Sequence, residues 1–134
     1  LSTPHNTETV QGSEHLKTLI ASVLDEHKAE DIEIIELKGQ TSIADYMIVA
    51  TGRSNRQVVG LADKVSEKIK SAGYMAPRVE GLPHGDWVIV DAYDIILHVF
   101  RPEVREFYNI EKMWRPEPAF QPATGTSNRP AART

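Results

Sequence analysis

The chain has 134 residues, 40% hydrophobic and 25% charged, with no cysteine and a formal net charge of −4. That is enough chain to bury one core. Disulfides, thiol catalysis and thiolate metal sites are excluded, and no apolar run approaches the roughly 20 residues of a membrane-spanning helix. Residues 14–114 carry 12 basic against 17 acidic groups. Phosphate neutralisation dominates nucleic-acid affinity, so direct nucleic-acid binding is not expected of such a body, whereas a basic protein partner suits it.

Residues 1–13 are polar, contain Pro4 and show no apolar period, so they read as a loose arm. From Glu14, Leu16, Leu19, Ile20, Val23, Leu24 and His27 recur at helical spacing, with Ser13 placed as an N-cap. The alternation of "IEIIEL" (32–37) predicts a strand, "KGQT" a turn, and "DYMIVAT" (45–51) a near-continuous second strand. A second helix follows "GRSNRQ" (52–57). Ser54 and Gln57 have capping-box spacing, Val58, Leu61, Ala62, Val65 and Ile69 form its apolar stripe, and Gly73 is placed to stop it.

"PRVE" (77–80) predicts a short strand, and "GLPHGD" a loop leading into "WVIVDAYDIILHVF" (87–100). A two-residue turn at Ala92–Tyr93 would pair 91 with 94, 89 with 96 and 87 with 98. Side chains alternate across a strand, so Val88, Val90, Ile95, Leu97 and Val99 fall on one aliphatic face. Trp87, Ile89, Asp91, Asp94, Ile96, His98 and Phe100 fall on the other. Unpaired carboxylates are costly to bury, so the mixed face is expected to stay partly open, with Trp87 opposite His98 and Asp91 opposite Asp94. After Phe100, Pro102 suits a first helical position, and Val104, Phe107, Tyr108, Glu111 and Trp114 share one helical region. From Arg115 onward, prolines and small polar residues predict a disordered tail over 115–134. The order of elements predicts an α/β fold: a single sheet with helices packed on one face.

The stretches "ADYMIVATGRSNRQV" (44–58), "EGLPHGDWVIVDAYDIILHVF" (80–100) and "REFYNIEKMW" (105–114) together resemble the ribosomal silencing factor, or Iojap-like, family across residues 14–114. The resemblance implies a mixed sheet of nucleotidyltransferase-like topology, no catalysis and no cofactor. It also implies binding to large-subunit ribosomal protein uL14 on the large ribosomal subunit, which blocks small-subunit joining and represses translation under nutrient limitation. Asp45 and Tyr46 match its first motif, Trp87, Asp91, Asp94 and His98 its second, and Arg105 and Tyr108 its third. On this reading Trp87 is an apolar anchor, the aspartates engage basic groups on the partner, and Arg105 and Tyr108 frame the edge. The family usually has glycine where this chain has Tyr93. Glycine adopts the positive φ of a tight hairpin turn without cost, so either the turn differs here or Tyr93 projects as an added contact.

The rival reading is a phosphate- or nucleotide-binding enzyme of nucleotidyltransferase type, with "TGRSNRQ" cradling a phosphate at a helix start. Against it, no Asp-x-Asp strand is present. A metal site from His84, Asp86 and His98 is a weaker alternative. An open sheet face is also compatible with a homodimer of the free protein. The expected location is the bacterial cytosol. A bacterially derived organelle also fits, since the chain opens on Leu1 rather than methionine and a transit segment would precede it.

Overall fold

The computed structural model describes residues 2–114, with side chains from Gly12 onward, so the predicted tail lies outside the described residues. The elements in chain order are α1 (Ser2–Glu26), β1 (Glu30–Glu36), β2 (Tyr46–Thr51), α2 (Asn55–Ser71), β3 (Arg78–Glu80), β4 (Trp87–Asp91), β5 (Ile95–Phe100), α3 (Pro102–Tyr108) and α4 (Glu111–Trp114). The five strands form one sheet in the order β1-β2-β5-β4-β3. β2 and β5 run parallel while every other neighbouring pair is antiparallel, so the sheet is mixed. All six residues of β2 are buried, which explains its unbroken apolar run: it is an inner strand with both faces covered.

One face carries Tyr46, Ile48, Ala50, Val88, Val90, Ile95, Leu97 and Val99. It packs against Leu16, Ile20 and Leu24 of α1 and the Val58, Leu61, Val65 and Ile69 stripe of α2. The long helices thus form the expected single layer. The short α3 and α4 lie over part of the other face, where Val104, Ile110 and Trp114 pack on a smaller core of Ile35, Met47, Val49 and Phe100.

The ends of α2 are built as the sequence predicts. Ser54 Oγ accepts from Gln57 N at 3.1 Å, while the Gln57 amide oxygen reaches back to Arg53 N at 2.7 Å, one residue earlier than in a strict capping box. At the other end Gly73 takes φ +95, and Tyr74 N and Gly73 N donate to Ile69 O and Lys70 O. That is a Schellman stop, which needs a left-handed residue at Gly73.

Three expectations are corrected. Helix α1 extends back to Ser2, so the segment expected as a loose arm continues the helix and the buried Ser13 is internal to it rather than its N-cap. The single helical region expected over 104–114 is broken at Asn109, whose left-handed φ of 47 ends α3 before α4 begins. The hairpin register is shifted. Trp87 pairs with Phe100, Ile89 with His98 and Asp91 with Ile96.

The hairpin loop is therefore Tyr93–Asp94, not Ala92–Tyr93. Tyr93 itself takes φ 72, and Asp94 N donates to Ala92 O across it, the pattern of a γ-turn. Because every pairing moved by two residues, no side chain changed face. The two-faced hairpin stands, with new cross-strand partners.

Candidate functional site

The mixed face of the β4–β5 hairpin carries a run of aromatic side chains. Phe100 is fully buried, and the half-buried Trp87 packs on it at a ring separation of 4.8 Å. Tyr108 lies 4.9 Å beyond Trp87, and Phe107 meets Tyr108 edge to face at 4.9 Å. Exposure rises along the run, to 52% at Tyr108 and 80% at Phe107. Burying one end leaves a rigid, preordered apolar strip open at the other. Offset and edge-to-face pairs also fix ring orientation. Met113 of α4, 74% exposed, adds apolar surface on the helical segment that follows.

His98 stands diagonally from Trp87 across the hairpin, 5.9 Å between rings, and its Nδ1 accepts from Trp87 Nε1 at 3.0 Å. The expected Trp87–His98 pair therefore exists, made by the diagonal rather than by direct opposition. An Nδ1 that accepts places the imidazole proton on Nε2. Burial drives His98 down to about 4 from 6.5, opposed by the charge of Glu111. The unfolded chain takes up the proton at higher pH than the native one. The stabilisation is therefore full above pH 6.5 and drains away as pH falls towards 4. Stability should drop by about 2 kcal/mol between pH 7.5 and pH 5. Urea unfolding at the two pH values checks this, and His98→Asn, which keeps an acceptor near Trp87, should flatten the dependence.

The aspartates do not form a pair. Asp91 is tied to Arg78 Nη2 at 3.1 Å and accepts from Tyr93 N at 2.9 Å, so it anchors the turn and the β3 edge. Asp94 is exposed at the tip, where its carbonyl accepts from Asp45 N at 2.7 Å and Tyr46 N at 3.2 Å. The tip thus presents Tyr93 and Asp94 beside Asp45.

Two further candidates move away from the site. Tyr46 lies on the helix-covered face, buried, with its hydroxyl donating to Glu14 and the ammonium groups of Lys17 and Lys38 4.7 and 5.1 Å from its ring centroid. The Glu14 hydrogen bond pushes the Tyr46 phenol up. Arg105 does not frame an edge. Its side chain is only 13% exposed, and it donates to Glu111 Oε2, Thr51 Oγ1 and the Asp31 carbonyl at 2.7–3.0 Å. It is a clamp between α3, α4 and the sheet.

The rival sites have other occupations. Ser54 and Gln57 are committed to capping α2, and the Asn55 amide donates to His84 O and Asp86 Oδ1. Asp86 also receives Arg101 at 2.9 Å, which holds its carboxyl below the usual range. His84 contacts Asp86 at 2.9 Å, whereas His98 is bonded to Trp87, so the three proposed metal ligands are not brought together. Among the described residues no group of three or more His, Asp or Glu side chains is placed to hold a metal ion. Phe107 is what the sequence reading missed as a site residue. Its spacing from Val104 looks like core, and the signal against that was Asn109, a residue type that tolerates the left-handed region and so ends helices.

Residues 10–134 match the family model "Ribosomal silencing factor during starvation". A ribosomal silencing factor of Zymomonas mobilis is 50% identical over 113 residues, covering 84% of this chain and 85% of that protein. A mouse protein named for mitochondrial assembly of the ribosomal large subunit is 28% identical over 99 residues, covering 72% of this chain and 43% of that protein. A crystal structure of a Chromobacterium violaceum protein superposes with a TM-score of 0.74 at 41% identity, covering 84% of this chain and 92% of that one.

Proposed function

The chain belongs to the ribosomal silencing factor family, and from that premise we propose that it binds large-subunit ribosomal protein uL14, covers the surface needed by the small subunit, and represses translation when nutrients are limiting. The observation that supports this reading is the aromatic strip Trp87–Tyr108–Phe107, preordered at its buried end and exposed at the other. Aromatic anchors in such a setting carry the largest share of binding energy in protein interfaces.

The acidic tip at Asp94 and Asp45 adds attraction for basic groups on the partner and favours rapid encounter. Silencing of this kind requires occupancy, not turnover, so the protein acts without catalysis in the bacterial cytoplasm. In the free state the same strip supports a homodimer, which docking on uL14 would dissociate.

Sucrose-gradient sedimentation of large and small subunits mixed with the protein tests the reading. The protein should travel with the large subunit and the joined-ribosome peak should shrink as protein is added. An undiminished joined peak at saturating protein would overturn it.

A further inference from the structure

Beside α3, a cleft of about 340 Å³ lies between the end of β2, the start of β1 and the α3–α4 junction. Its walls are rich in acceptors. Asp31 and Glu106 are exposed, and their carboxylates have no hydrogen bond or ion pair among the described residues. Glu111, which also lines the cleft, has a side chain only 8% exposed. Its Oε2 is held by Arg105, while its Oε1 is buried without any hydrogen-bond partner. An orphaned carboxylate oxygen is costly, and native structures keep few of them without a reason.

The cation that lines the cleft is already spent. Arg105 is saturated by Glu111, Thr51 and the Asp31 carbonyl, and Arg53 is paired with Glu30 at 2.5 Å. The cleft therefore has surplus acceptors and surplus negative charge. A compact donor with three N–H groups and one positive charge matches that deficit.

Resting on the docking reading above, we propose that this cleft is a binding site for a primary ammonium group, supplied by a lysine side chain of the protein that docks on the aromatic strip. The strip and the cleft share one helix: Tyr108 of α3 packs on Trp87, and Arg105 and Glu106 of the same helix line the cleft. One partner surface carrying an apolar patch and a neighbouring lysine would fill both.

NMR titration of the full chain with Nα-acetyl-lysine methylamide, beside the norleucine analogue that lacks the ammonium, tests the site directly. Saturable shifts at the Asp31, Asn109 and Glu111 amides are expected with the lysine compound alone. They should be lost in the Asp31→Asn/Glu106→Gln double variant, in which both changes fall on exposed, unpaired carboxylates. Absence of such shifts in the wild type overturns the ammonium site, whatever the ribosome does.

Co-sedimentation with large subunits tests the source of the ammonium. At low salt the double variant should bind roughly tenfold more weakly, with the gap closing as salt rises. Asp63→Asn/Glu67→Gln on the exposed side of α2, with the same net charge, should bind like wild type. Shifts with the lysine compound but unchanged ribosome binding would overturn the partner-lysine assignment and point to a free amine. If Phe107→Ala also left ribosome binding unchanged, the docking reading would fall instead, while the titration would still decide the cleft.

Discussion

Arg105→Ala should cost about 3–5 kcal/mol of folding stability, because it leaves the Glu111 carboxylate buried with neither oxygen paired. Arg105 is 13% exposed and Glu111 8%, so solvent replaces the lost hydrogen bonds only poorly. The same substitution removes the donors that tie α3 to Thr51 on β2 and to the Asp31 carbonyl on β1. A loss of that size is a large part of the total stability of a small domain. Arg105→Lys keeps the charge but lacks the planar fork that reaches three acceptors at once, so it should recover only part of the loss. Urea unfolding followed by tryptophan fluorescence checks both. A cost under about 1 kcal/mol for Arg105→Ala would show that the clamp contributes little beyond a surface ion pair.

Trp87→Ala is expected to act on two levels. Removing an indole that packs on Phe100 and Tyr108 should destabilise the fold by about 2–3 kcal/mol, the lower end for a large aromatic because Trp87 is only half-buried. It should also weaken large-subunit binding by roughly 100-fold, since it removes the support under the exposed rings as well as its own contact. Trp87→Phe separates the two effects. It preserves ring packing but loses the bond from Nε1 to His98. Stability should largely return, with binding recovered only in part. Equal recovery of both would mean that Trp87 acts through folding alone.

The parts of this fold that were legible in the sequence are those set by local chemistry. Helix α2 carries its own cap at Ser54 and its own stop at Gly73, and both work as read. The faces of the β4–β5 hairpin were legible because strand alternation does not depend on the turn. Its register was not, because turns at Ala92–Tyr93 and at Tyr93–Asp94 leave every side chain on the same face, so alternation does not choose between them. Tyr46 was singled out only through the motif it matches, with no face assigned to it. In a strand buried on both sides, an unbroken apolar run gives no period from which to assign a face. Arg105 was misread because its burial is non-local. Its acceptors come from Asp31, Thr51 and Glu111, brought together only by sheet pairing and the break at Asn109.

Phe107 offers the most direct test of the docking face, because its removal cannot act through stability. At 80% exposure, Phe107→Ala should leave the unfolding midpoint essentially where it is, within about 0.5 kcal/mol. The measurement is the affinity of wild type and Phe107→Ala for purified large ribosomal subunits, by co-sedimentation at matched salt. The strip as docking face predicts binding weakened by roughly tenfold or more, with the folded protein otherwise unaltered. Equal affinity of the two proteins would contradict it and place the contact with the large subunit elsewhere on the molecule.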